Sequence, residues 1–140
     1  MNEQQNTALI QNVYAAFARG DMQTITDSLA GDVEWVLEGP AIIPFAGRRK
    51  GTSEVLAFFQ ALATTQENMK LTMETFVAQG DVVATVGRYS ATVKATGKKM
   101  DVAIGHFFTI RDGKIARFVD LGDTAAMADA YVPAAAGAGR

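Results

Sequence analysis

The spacing of apolar residues changes period as the chain proceeds. From 4 to 19, Leu9, Val13, Ala16 and Phe17 recur at helical intervals while Gln11, Asn12 and Arg19 turn away, which predicts a first helix. Gly20 stops it, and Asp21 is placed to cap a short second helix over 22–29, with Met22, Ile25 and Leu29 on one side. Two helices joined this tightly need a sheet to bury their apolar faces. Period two begins at Asp32, where Val33, Trp35 and Leu37 alternate with Asp32, Glu34 and Val36. A third helix is expected over 53–64, capped by Thr52 or Ser53 and striped by Val55, Leu56, Phe59 and Leu62. Four strands follow, over 69–79, 81–94, 98–110 and 114–122, separated by Gly80-Asp81, by Ala95 to Gly97 and by Asp112-Gly113. Successive strands with short turns predict an antiparallel meander.

Between the first strand and the third helix, EGPAIIPFAGRRKG holds two prolines and three glycines and reads as an irregular loop. Ile42, Ile43 and Phe45 are unusual for a solvated loop: they either close over a pocket or plug the end of the core. Residues 124–131 suit a last helical turn or two, with Asp123 as its cap. Residues 133–140 have nothing to bury and are expected to form a disordered tail. Neither a repeat nor a linker divides the chain, so 1–132 is expected to be one α+β domain, its helices against one face of a curved sheet.

Composition narrows the function classes. With 140 residues, 49% hydrophobic and 20% charged, the chain has the makeup of a soluble globular protein with one sizeable core. A formal net charge of -2 gives no whole-protein attraction to nucleic acid or to an anionic membrane, and Arg48, Arg49 and Lys50 read as a solvated cluster. The absence of cysteine excludes disulfides, thiolate chemistry and a cysteine-based zinc site, and a single histidine excludes a multi-histidine metal site within one chain. The N-terminus lacks the basic start and apolar run of a signal peptide, and no apolar run approaches the roughly 20 residues that span a bilayer. A cytoplasmic location is expected.

Candidate chemistry gathers in GHFFTIRDGKIARFVDLGD, residues 105–123, two strands joined at Asp112-Gly113. His106 shares a phase with Met100, Val102, Ile104, Phe108 and Ile110, so it sits on an apolar row, where a lone histidine is more often a satisfied core residue than a catalyst. Asp120 lies on the opposing strand. A plain two-residue turn sets His106 opposite Val119 and puts His106 and Asp120 on opposite sides of the sheet. A glycine-bulged turn, or any one-residue bulge, sets His106 opposite Phe118 and makes Asp120 its diagonal neighbour on the same face, about 7 Å away. Elsewhere Arg88, in phase with Ala84 and Val86, could hold a ligand's carboxylate or pair with Glu74. Trp35 and Tyr14 suit either a pocket wall or an aromatic core, and Glu38 is a further candidate pocket carboxylate.

The succession AFARGD, DVEW, PFAG, HFFTI and DGKI, in that order and spacing, resembles the SnoaL-like branch of the nuclear-transport-factor-2-like superfamily, which also contains the ketosteroid isomerases. The resemblance covers roughly residues 5–128. It implies a cone-shaped half-barrel, with three N-terminal helices on a curved, mostly antiparallel sheet around one deep apolar pocket, commonly in a homodimer. Ketosteroid isomerases need an aspartate base and a hole made by a tyrosine and a protonated aspartate. Those positions fall here at Leu37, Val13 and Gly105, so that mechanism is not expected, and Tyr14 is about 100° of helix rotation away from the tyrosine position. SnoaL-type polyketide cyclases resemble this chain in having a histidine seven residues before the turn glycine and an aspartate seven after it, as His106 and Asp120 flank Gly113. Carried over, Asp120 would be the general base for an aldol closure, and His106 its partner or the donor to the enolate oxygen. Tyr14, Phe17, Trp35, Phe45, Phe59, Arg88, Ile104 and Phe118 would line the substrate pocket. Such chemistry needs no cofactor and no metal, only a base and a placed donor. The expected partner is a small apolar or aromatic carbonyl compound, with a second copy of the chain. The alternatives are a non-catalytic small-molecule binder and a dimeric interaction module using Arg117, Val119 and Leu121.

Overall fold

A capping box opens the first helix, α1 (Glu3–Ala18): the Asn2 side chain accepts from the Gln5 backbone N–H, and the Gln5 side chain accepts from the Asn2 N–H. The computed structural model describes residues 1–134. Asp21 caps α2 (Met22–Asp27) through the Thr24 N–H. There follow β1 (Leu29–Leu37), β2 (Gly47–Lys50), α3 (Thr52–Thr65), β3 (Gln66–Gln79), β4 (Val82–Val93), β5 (Lys99–Arg111), β6 (Lys114–Gly122) and α4 (Thr124–Tyr131). Three helices precede the meander, but β1 and β2 interrupt them and a fourth follows, capped by Asp123. Residues 135–140 of the expected tail lie outside the described residues.

Three local expectations change. The second helix ends at Asp27, so Leu29 opens β1 instead of closing the helix. Thr52 is the first helical residue of α3 rather than its cap; Gly51 takes the cap position with φ 86°, and no side chain satisfies it. The segment expected to be wholly irregular contains β2, which pairs antiparallel with β1 from Glu34 opposite Lys50 to Leu37 opposite Gly47. Arg48, Arg49 and Lys50 therefore form a short charged edge strand, a composition that discourages further strand addition.

The sheet order is β2-β1-β6-β5-β4-β3. The last four strands form the expected meander, and β1 joins β6 in parallel. This is an α+β half-barrel. Ile10 and Val13 of α1, Val55, Phe58 and Leu62 of α3, and Met127 of α4 pack on the inward rows of the strands. Register shifts in β3 and β6 supply bends, because a bulge increases local twist. At the second β3 shift only glycine fits opposite: a Cβ at Gly87 would lie 2.0 Å from the Thr72 carbonyl oxygen. The outward face keeps Val77, Val86, Phe107 and Leu121 exposed. Among the described residues, no helix is long and apolar enough to cross a membrane.

Candidate functional site

The Asp112-Gly113 turn has positive φ at both residues, 52° and 75°, as a tight two-residue hairpin turn requires. Arg111 pairs with Lys114 and Ile110 with Ile115, but Thr109 then pairs with Arg117, so Ala116 is an extra residue in β6. That bulge reverses the phase of β6, turning Phe118 and Asp120 inward where a regular strand would present Arg117 and Val119. The bulge lies within β6 and not in the turn. It therefore advances the partner of His106 from Val119 to Asp120, instead of drawing it back to Phe118. The two side chains are direct cross-strand neighbours rather than diagonal ones.

His106 Nε2 lies 3.6 Å from Asp120 Oδ1, with side-chain exposures of 7% and 12%. That separation exceeds a hydrogen bond, and Oδ1 is buried with no hydrogen-bond partner. On the other side of the ring, Nδ1 lies 2.8 Å from the Tyr14 hydroxyl, which is itself 2.6 Å from Thr85 Oγ1. An ionised carboxylate only accepts, so the neutral ring is best arranged with its proton on Nε2, toward Asp120. Nδ1 then accepts from Tyr14, and the Tyr14 oxygen accepts from Thr85. Burial holds the Tyr14 phenol well above its ordinary range; the Thr85 bond opposes this and the charge of Asp120 adds to it. Tyr14 is thus a neutral hydrogen donor at any physiological pH.

Tyr14, His106 and Asp120 line a cavity of about 70 Å³, room for a small or flat molecule, with Thr85 behind them on the Tyr14 hydroxyl. Its walls come from α1 (Val13, Tyr14, Phe17), α2 (Ile25), the loop after β1 (Phe45), α3 (Phe58, Phe59, Leu62) and α4 (Met127). The sheet adds Trp35, Leu71, Tyr89, Ile104, Phe108 and Phe118. Trp35 stacks on Phe118 at 3.9 Å between centroids, and Phe118 also lies 4.8 Å from the His106 ring. Tyr89 donates to the Gln66 side-chain oxygen, and Gln66 Nε2 donates to Tyr131, a closed structural network. Burial raises the Tyr89 phenol as well, followed in effect by Tyr131 and Asp120. Among the described residues, no group of three His, Cys, Asp or Glu is placed to hold a metal ion.

The sequence profile of the SnoaL-like domain family matches residues 10–118. This chain belongs to that family. The SnoaL-like domain is 29% identical over 120 residues to an uncharacterized protein of Mycobacterium tuberculosis, covering 84% of this chain and 88% of the other. A nuclear-transport-factor-2-like protein of unknown function from Burkholderia pseudomallei superposes with a TM-score of 0.85 at 26% identity, over 94% of this chain and 99% of that one. TerC, co-crystallized with polyporic acid, superposes with a TM-score of 0.82 at 30% identity, over 91% and 98%.

Within this SnoaL-like domain, Tyr14, Phe17, Trp35, Phe45, Phe59, Ile104, His106, Phe118 and Asp120 all line this cavity. Arg88 does not. It lies on the outward face, ion-paired with Asp101 at 2.9 Å rather than with Glu74. Its neighbours Val86 and Ala84 made that row look inward, but Val86 is 58% exposed and the buried row is Val83, Thr85 and Tyr89. Glu38 is likewise exposed and paired with Arg48. Of the loop residues, Ile43 and Phe45 are buried, with Phe45 in the cavity wall, while Ile42 stays exposed. At the isomerase positions, Val13 lines the cavity, Leu37 is core, and Gly105 belongs to the outward row of β5. Thr85 is the polar residue that sequence reasoning missed; its signal is a shared phase with Val83 and Tyr89.

Proposed function

We propose that this SnoaL-like protein is a cofactor-free enzyme that removes a proton next to the carbonyl group of a small apolar or aromatic compound, with Asp120 as base and His106 as its partner. The observation that carries the reading is the state of the carboxylate: Asp120 Oδ1 is buried against an aromatic wall without a hydrogen-bond partner. An unpaired buried acceptor costs stability, and pocket carboxylates in such surroundings are frequent sites of chemistry. In the proposed step the C–H bond breaks, its proton passes to Asp120, and the electron pair moves onto the carbonyl oxygen as an enolate. In a cyclase the enolate carbon then attacks a second carbonyl of the same molecule, and the new alkoxide recovers the proton from Asp120. The Nε2–H of His106, held by Tyr14 and Thr85, lies beside the developing charge.

Deuterium exchange at the methyl group of acetophenone, followed by NMR in D2O, tests the base. Asp120→Asn keeps the shape and removes the proton acceptor, so exchange should fall by about two to four orders of magnitude with ligand affinity nearly intact. Unchanged exchange would defeat the assignment. A second reading, a binder without chemistry, draws on the likeness to TerC and its co-crystallized polyporic acid. Under it, ligand is recovered unaltered and exchange is absent in the unsubstituted protein.

We further propose that a second copy covers the outward face. Phe107, opposite Val119, and Leu121, opposite Gly105, make contiguous apolar rows with Val86 and Val77. A two-fold pairing of this face would bury them. A monomer in sedimentation at micromolar concentration would count against it.

A further inference from the structure

Two residues of the cavity wall each carry a buried polar atom without a partner, and the two atoms are of opposite kinds. Trp35 Nε1 is a buried donor with no acceptor, and Asp120 Oδ1 is a buried acceptor with no donor. Trp35 is only 3% exposed. The other hydroxyls of the wall are committed, Tyr14 to His106 and Thr85, and Tyr89 to Gln66. Register places the two residues near each other. Trp35 lies beside Phe118 in the parallel β1–β6 pair, and Asp120 follows two residues later on the same face of β6. They nevertheless make no bond to each other. The indole ring is held by its stack on Phe118 and by edge contacts with Phe58 and Phe59, at 5.7 and 5.6 Å between centroids. Aromatic faces are weak acceptors and do not replace an oxygen.

We propose that the Trp35 indole N–H is the donor that takes the ligand's carbonyl oxygen, while Asp120 faces the acidic hydrogen beside that carbonyl. This rests on the proton-abstraction reading and adds the ligand's class. It is a flat compound that offers one acceptor oxygen and, one bond removed, one acidic hydrogen, with an apolar remainder that fits the aromatic wall. As the C–H bond breaks, negative charge collects on that oxygen, so a fixed N–H donor strengthens its hold during the step.

The chain has one tryptophan, so a 15N-labelled sample gives one indole N–H signal. Acetophenone and α-methylstyrene have nearly the same shape but differ in carrying C=O or C=CH2. Acetophenone should move the indole proton downfield, and α-methylstyrene should not. Trp35→Phe keeps an aromatic wall without the donor, and the preference for acetophenone over α-methylstyrene should drop about five- to tenfold, the worth of one hydrogen bond. An indole signal unmoved by millimolar acetophenone, or an unchanged preference in a folded Trp35→Phe, overturns the assignment. The two readings fail separately. A moved indole signal with exchange independent of Asp120 removes the base and keeps the donor; Asp120-dependent exchange with an unmoved signal removes the donor and keeps the base.

Discussion

Tyr14 Oη lies 2.8 Å from His106 Nδ1, a contact between α1 and β5 that holds the imidazole with its other nitrogen toward Asp120. Tyr14→Phe keeps the ring contacts with Phe76 and Phe108, at 5.8 and 5.9 Å, and removes only the hydroxyl. His106 is then free to change tautomer or tilt, and the buried hydroxyl of Thr85 loses its side-chain partner. Exchange at acetophenone should fall by about ten- to a hundredfold through lost orientation, with KM little changed. Stability should fall by about 1–3 kcal/mol for the stranded groups. Exchange kinetics and urea unfolding check both; an unaltered kcat would remove Tyr14 from the machinery.

Alkaline stability follows from two buried phenols. Burial raises Tyr14 and Tyr89 above the ordinary tyrosine value, so the folded chain holds these protons more tightly than the unfolded chain does. As pH rises past about 10, the unfolded state ionises first and gains stability relative to the folded state. Their contribution is therefore intact below about pH 10 and is lost progressively above it. Urea midpoints should be flat from neutrality to about pH 9 and fall beyond pH 10. Tyr14→Phe and Tyr89→Phe should each make that fall shallower. An equally steep fall in the double variant would assign it to other groups.

Much of the architecture was legible because local rules and tertiary packing agree in it. Asp112-Gly113 predicts a tight turn, Asp21 and Asp123 predict helix starts, and the period-two runs predict the meander; each is observed. What was not legible depends on the choice between two similar rows. In β4, the Val82, Ala84 and Val86 row is as apolar as the Val83, Thr85 and Tyr89 row, because the outward face is itself apolar, so the pattern alone puts Arg88 on the wrong side. In β6, Phe118 on one row and Val119 on the other conceal the bulge between them. β2 is four residues long, mostly charged, and set among glycine and proline, so it carries no period at all. Tyr14 illustrates a different limit: helix rotation shows where a Cα faces, not how far a phenol reaches.

The Ala116 bulge is the element on which the site depends, since Ala116 is the one residue by which β6 outnumbers β5 between the Ile110–Ile115 and Thr109–Arg117 pairs. Deleting it tests the register directly. With Ala116 removed, Arg117 follows Ile115, so the Thr109–Arg117, Phe108–Phe118 and His106–Asp120 pairs can all persist as a regular ladder, each side chain on its present face. What the deletion takes away is the local bend and extra twist that the bulge supplies. The deletion variant should therefore fold, with a urea midpoint lowered by the equivalent of about 1–3 kcal/mol, and should keep measurable exchange at acetophenone. Ala116→Gly is the control, since it leaves both the residue count and the bulge in place, and it should keep most of the stability and of the exchange. If β6 instead ran without a bulge in the parent, the deletion would turn every later residue over, sending Phe118 and Asp120 to the other face of the sheet. An unfolded deletion variant beside a folded Ala116→Gly would therefore count against the bulged register.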